Sequence, residues 1–321
     1  MPISKEDALK SFQDFGEHEK LVRALHVHNI SSSCLLKESV KRLGIHVIAT
    51  FGWPLERFDL PENQYLRHTD RIGRHGPLDD ISFVHSIKTF LMEGLYAEAL
   101  CLLQGEIYHS NIPSFVEEWA LLSFKTIALT RRYELLDGLF PRFCSVREQS
   151  GRLNNFCFAI EGFYHMRNQQ WQEAVDNFRQ YSIFPEDREF SEILSNAAIF
   201  LYSSLCAMMS MSPLQLKELR NSFPFGNELV LFPMADEFLH SFICYENGRC
   251  YQSLKLIEEY LQMDVHLHDM IEKIVPVIEK RLLTCFLSVF SSVSFATLSM
   301  EFAIPLDGIL LDEINLTFSH N

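Results

Sequence analysis

An aromatic-and-small-residue signature recurs along this chain about every 37 to 40 positions. The pattern reads Tyr96-x-x-Ala99-Leu100-x-x-Leu103, then Tyr133-x-x-Leu136-x-x-x-Phe140, then Trp171-x-x-Ala174-Val175-x-x-Phe178. It returns as Cys250-x-x-Ser253-Leu254-x-x-Ile257. The intervals are 37, 38 and 79 residues, the last being two periods. A fixed interval of this size marks stacked helical hairpins. Each hairpin buries its apolar face only against its neighbours, so the units line up into a solenoid. The small residue lets paired helices approach, and the aromatic one fills the groove beside it. The expected fold is all-α, a TPR-like right-handed helical-repeat solenoid. Folds of this kind serve mainly to bind other proteins, which tilts the reading away from catalysis.

Around this repeat the chain divides into four expected regions. Residues 1–50 carry N-terminal helices: one over 5–27, striped with Phe12, Phe15, Leu21 and Leu25, and one from a Ser33 cap to Leu43, where Gly44 stops it. Residues 51–77 hold Gly52, Pro54, Pro61, Gly73 and clustered Arg and His, and read as a linker. Residues 78–275 form the solenoid. Asp79 and Asp80 sit at the electropositive start of its first helix. Gly94, Gly138 and Gly248 lie near hairpin turns, and Pro113, Pro213 and Pro233 near helix starts.

Residues 276–321 change character. Val277–Phe290 reads as an apolar helix and Ser291–Phe295 as a short strand. A helix follows over Ala296–Phe302, for which Ser294 is an alternative cap, then a turn at Pro305 and a third helix over Leu306–Leu316. Helix, strand, helix, turn, helix is the front half of a winged helix. Three further solenoid helices are the other reading of the same pattern.

Composition bounds the partners. Of 321 residues, 47% are hydrophobic, enough to build a sizeable core. The net charge of −14 disfavours nucleic acid and anionic membrane surfaces, because no counterion release rewards binding. Eight cysteines without a Cys-x-x-Cys pair, such as Cys157 and Cys206 in apolar runs, resemble free buried thiols of a reducing compartment. The N-terminus lacks the apolar core of a secretion signal, and the most apolar stretches are too short or too serine-rich to span a bilayer. The expected location is cytoplasm and nucleus.

Motifs for chemistry are sparse. The chain contains no Gly-x-Ser-x-Gly, His-Glu-x-x-His or phosphate-binding glycine loop. His26-Val-His28 and His266-Leu-His268 look like the start of a zinc motif. Residues at i and i+2 of a helix point to different faces, however, and the positions ten further on are Leu36 and Pro276. No catalytic residue, metal or cofactor is expected, and the chain reads as a non-enzyme. The basic group Arg67, His68, Arg71, Arg74 and His75 fits a solvated linker or a contact with an acidic partner. Phe223-Pro-Phe225 and Phe232-Pro233 read as plugs between hairpins, or as a partner site wherever they are exposed.

The segment from Leu282 to Phe302 resembles the winged-helix entry of PCI-domain proteins, with Phe290, Ser292, Leu298 and Phe302 on the family's positions. Within that group the chain is similar to the family of the first signalosome subunit. Three stretches carry this: Phe190-Ser-Glu-Ile-Leu through Cys206-Ala207, Cys250-Tyr-Gln-Ser-Leu-Lys-Leu-Ile257, and Leu261-Gln-Met-Asp-Val-His-Leu267. The paralogous seventh non-ATPase subunit of the proteasome lid shares the architecture and is the alternative, with a stand-alone helical-repeat adaptor as a third. The family continues past this point with a wing hairpin and a further helix, so 276–321 corresponds to a partial winged helix. The resemblance implies a non-catalytic scaffold subunit of the complex that removes a ubiquitin-like modifier from cullins. It implies as partners other PCI-domain subunits and, beyond them, cullin-RING ligase components. Family members join through winged-helix edges, which points to Ser291, Ser292, Val293, Ser294, Phe295, Leu306, Ile309 and Leu310 as the partner interface.

Overall fold

The computed structural model describes residues 17–30, 34–50, 80–93, 95–105, 113–139, 141, 151–183, 193–290 and 293–302. The linker at 51–77, its basic cluster and the helix expected over Leu306–Leu316 lie outside them. The described residues are predominantly helical, with no strand among them. Fourteen α-helices are labelled in chain order. They are α1 Glu17–Ile30, α2 Cys34–Thr50, α3 Asp80–Met92, α4 Tyr96–Gly105, α5 Pro113–Thr130, α6 Gly151–Arg167 and α7 Trp171–Phe178. There follow α8 Asn196–Ser210, α9 Pro213–Arg220, α10 Phe225–Leu229, α11 Pro233–Ile243, α12 Asn247–Met263, α13 Ile271–Leu287 and α14 Phe295–Phe302.

Four helices end in the same backbone device. An amide two or three residues past the helix bonds back five residues: Leu95 to the Phe90 carbonyl, Arg132 to Ile127, Gln170 to His165 and Glu246 to Ser241. In the last three the intervening residue, Arg131, Gln169 or Tyr245, has a positive φ of 54°, 60° or 58°. This is the left-handed closure that satisfies orphan carbonyls at a helix end. The next element opens at once, with Tyr96, Tyr133, Trp171 and Asn247. The interval between these openings is 37, 38 and 76 residues, which is more regular than the one read from side chains.

The turn also fixes the register. Ala99, Ala174 and Cys250 each donate their amide to the carbonyl of the residue just before the helix, respectively Leu95, Gln170 and Glu246. Cys250 is therefore the small residue of the fourth copy, and its Sγ lies 3.7 Å from the Phe238 carbonyl of the preceding helix. The sequence pattern placed that copy three residues late, with Ser253 in the role. Asn247 stands where the other copies have Tyr or Trp, so the aromatic cue was missing. Ala99, Ala174, Cys250 and Ser253 are all buried.

The pairs α3/α4, α6/α7 and α11/α12 pack within themselves. Further contacts join α4 to α5, α7 to α8, α8 to α11, α9 to α11, and α12 to both α13 and α14. Gly162 lies on α6 where an added Cβ would fall 2.5 Å from the Phe178 ring, so the α6/α7 crossing depends on that missing side chain. Arg281 of α13 donates to the carbonyls of Met208 and Met211, satisfying the open end of α8. α9 begins with a full capping box: the Ser212 hydroxyl accepts from the Gln215 amide, and the Gln215 side chain accepts from the Ser212 amide.

Three local expectations change. Gly44 does not stop α2, which runs on to Thr50 with Gly44 buried, because packing against α1 outweighs a weak intrinsic preference. Gly248 is not a turn residue. It sits in the first turn of α12, where a Cβ would come within 2.2 Å of the Glu301 carbonyl of α14. The helix expected from Val277 starts at Ile271 and passes through Pro276, so residue 276 lies inside α13.

Candidate interaction surface

The predicted partner interface begins where α13 ends. Ser291 and Ser292, like Leu306, Ile309 and Leu310, lie outside the described residues. At the described positions the expected strand is absent. Val293 is half-buried against the core, Ser294 is the N-cap of α14, and Phe295 is that helix's first residue. The Ser294 hydroxyl accepts from the Thr297 amide at 3.1 Å and shares a 2.8 Å hydrogen bond with the Thr297 hydroxyl. A serine three residues ahead of a hydroxyl residue has a local partner for its side chain, whereas a lone strand leaves its backbone unpaired. The helix-capping alternative read from the sequence is the one the structure adopts.

α14 is anchored by its inward face. Leu298 and Phe302 are buried, with the Phe302 ring edge-on to Tyr251 at 6.0 Å and to Phe286 at 5.4 Å. Its outward face and the preceding turn remain apolar: Met300 is 84% exposed, Val289 69% and Phe290 46%. Phe290, Leu298 and Phe302 thus divide between the core and the surface.

A second apolar surface surrounds α10. Phe225 is buried and Phe232 stacks on Phe200 at 4.8 Å, so both act as plugs between helices. Phe223, just before α10, is 84% exposed, and Val230 and Leu231, just after it, are exposed as well. Next to this segment, α9 and α11 border a cleft of about 470 Å³ lined by Leu214, Lys217, Arg220, His240, Cys244 and Tyr245. Arg220 forms a paired contact with Asp236 at 2.7 and 3.1 Å. The Cys244 sulfur lies 3.7 Å from both ring nitrogens of His240.

The two His-x-His pairs, far apart in sequence, meet in space. His26 of α1 and His268 are edge to face at 4.8 Å. Beside them lies a buried polar hub. Tyr133 is 2.6 Å from His266 Nδ1, and His266 Nε2 is 3.2 Å from the Ile193 carbonyl. A carbonyl can only accept, so Nε2 carries the proton and Nδ1 accepts from the Tyr133 hydroxyl. Asp264 accepts from the Tyr202 hydroxyl at 2.8 Å and from the amides of His266 and Leu267 at 2.7 and 3.0 Å. Arg167 lies over the Tyr133 ring, donates to the His266 carbonyl at 3.0 Å and grips Asp269 through two contacts of 2.6 and 2.8 Å.

The electrostatics of the hub match a structural role. Burial, and then the Arg23 charge, push His266 down to about 4. Burial, with Arg131 and His268, pushes His26 down to about 3. Burial works against the Asp264 carboxylate, but Arg23, His266 and the Tyr202 hydroxyl together hold it below the usual range. Among the described residues no three His, Cys, Asp or Glu side chains come together as a metal site. Nor is any described helix long and apolar enough to cross a membrane. The hub was missed in the sequence because Tyr133, Tyr202 and Asp264 come from three separate elements, although the stretches through Ala207 and Leu267 that carried the family resemblance contain two of them.

No family model matches the chain. It is 25% identical over 150 residues to COP9 signalosome complex subunit 1 of Arabidopsis thaliana, an alignment covering 46% of this chain and 34% of that protein. The chain therefore matches about a third of the length of this curated relative, and the likeness reaches family resemblance over less than half of the chain.

Proposed function

We propose that this chain is a non-catalytic scaffold subunit of a signalosome-type complex, placed among other PCI-domain subunits in the cytoplasm and nucleus. In this reading the helices from 78 to 275 form a right-handed TPR-like solenoid, and 276–321 form part of a PCI winged helix. The N-terminal helices of 1–50 join it through the 51–77 linker. The partner interface runs through Ser291–Phe295 and Leu306, Ile309 and Leu310. Cullin-RING ligase components are the more distant partners. The observation that carries the reading is the four-fold recurrence of one helix-closing turn, on a chain similar to a signalosome subunit. A repeated hairpin supplies extended surface rather than a reaction centre.

The exposed side chains around α10 favour a second reading, a stand-alone adaptor that holds a client on that face. Affinity capture of the tagged full chain from cells, followed by mass spectrometry, separates the readings. Stoichiometric signalosome subunits are expected. Proteasome-lid subunits would move the chain to the paralogous complex, and a single client would favour the adaptor.

A further inference from the structure

The geometry points to Cys244 as a mixed-disulfide site for a small anionic thiol of the glutathione class, seated in the α9/α11 cleft. Among the described cysteines Cys157, Cys206 and Cys250 are buried and Cys101 and Cys285 partly so, whereas Cys244 is exposed. It is not an isolated thiol. It lies one helical turn after His240, with its amide bonded to the His240 carbonyl at 2.9 Å and its sulfur in contact with the imidazole. Both line the same open cleft of about 470 Å³ as Lys217 and Arg220. Reactivity in thiol–disulfide exchange requires access as well as ionisation, and the cleft supplies the access.

The walls select the ligand. Asp236 engages Nε and one terminal nitrogen of Arg220, and it is the carboxylate that tempers the site. Lys217 forms no ion pair with another described residue, and Glu237 and Glu246, the acids nearest in sequence to Cys244, are held by Arg249. An acidic chain thus presents one uncompensated cation, Lys217, beside its accessible thiol, next to an arginine already engaged by Asp236. A carboxylate-bearing tripeptide disulfide fits that charge, and a cationic disulfide does not. In the reaction the Cys244 sulfur attacks one sulfur of glutathione disulfide and a new S–S bond forms. The old S–S bond breaks and glutathione leaves as its thiolate. The proton from Cys244 passes to the contacting His240 and then to the departing thiolate, so the disulfide is the only oxidant consumed. Nothing in this step depends on which complex the chain joins.

The test follows the Cys244 peptide by mass spectrometry in the reduced full chain, with glutathione disulfide, cystamine and 2-hydroxyethyl disulfide as probes. Glutathione disulfide should modify Cys244 faster than cystamine. Lys217→Glu should slow the glutathione reaction by about two- to fivefold, the scale of one exposed ion pair, and leave the neutral probe's rate unchanged. Cys244→Ser should remove this adduct while the circular-dichroism spectrum stays helical. The proposal is overturned if Cys244 stays unmodified while other cysteines react. It is equally overturned if cystamine reacts as fast as glutathione disulfide, or if Lys217→Glu leaves their rate ratio unchanged.

Discussion

At His266 the hydrogen bonds leave room for one neutral tautomer: one nitrogen faces a carbonyl and the other a tyrosine hydroxyl. A second proton would remove the acceptor that Tyr133 uses. Burial disfavours the charged form of both His266 and His26, so each takes up a proton less readily in the folded chain than in the unfolded one, whose histidines titrate near 6.5. Between that value and about 4 the unfolded state binds more protons, so stability is present above it and declines as pH falls through this window. The slope is up to about 1.4 kcal/mol per pH unit for each histidine. Asp264 does not offset this, because its stabilising contribution is lost only below the ordinary carboxylate range. Urea midpoints at about pH 7.5 and about pH 5.5 should differ accordingly. His26→Gln should reduce the difference by roughly half, since it removes one of two comparable titrations, and an unchanged slope would mean that His26 does not titrate in this way. Backbone strain at the same scale can also be measured. Gln169 holds a left-handed conformation, and Gln169→Gly should raise stability by up to about 1 kcal/mol, read as a rise in the thermal midpoint.

At the scale of elements, packing decides what the pattern could only suggest. Ala174 is buried where α7 meets α6, opposite a helix that carries Gly162 for the same reason. Ala174→Phe should cost on the order of 1–3 kcal/mol by overpacking, and a thermal midpoint equal to that of the unsubstituted chain would sink the assignment of this crossing. The Ser294 cap offers a milder check, since Ser294→Ala should cost about 1 kcal/mol and loosen α14 first. Helix type, most hairpin positions and the prolines at helix starts were legible, because they follow from spacing of 3.6 and from proline's missing amide. What escaped was set by tertiary partners. The fourth copy's register was hidden because Asn247 replaces the Tyr or Trp that opens the other copies. Gly248 looked like a turn residue because nothing local announces the Glu301 carbonyl that lies over it. Ser-Val-Ser alternation reads as strand only if a neighbour strand exists to pair with it.

At the scale of the molecule, two exposed apolar surfaces among the described residues compete for the role of assembly site: the α13–α14 end with Val289, Phe290 and Met300, and the α10 region with Phe223 and Leu231. Exposed side chains contribute little to folding, so charged replacements there test binding with small effects on stability. Val293→Pro would be a poor probe, since the described chain has no strand at Val293 to break. Met300→Glu is better, because it places a charge on the outer face of α14 while Leu298 and Phe302 keep that helix seated. If the partner interface runs through the C-terminal region, Met300→Glu should reduce co-purification of subunits by at least about tenfold, the scale of burying an unpaired carboxylate in an apolar contact. Phe223→Glu should then leave the yield unchanged, with both variants retaining the unsubstituted chain's helical spectrum. The reverse result, with partners lost on Phe223→Glu and kept on Met300→Glu, would move assembly to the α9–α11 face and leave the adaptor as the better account of the fold.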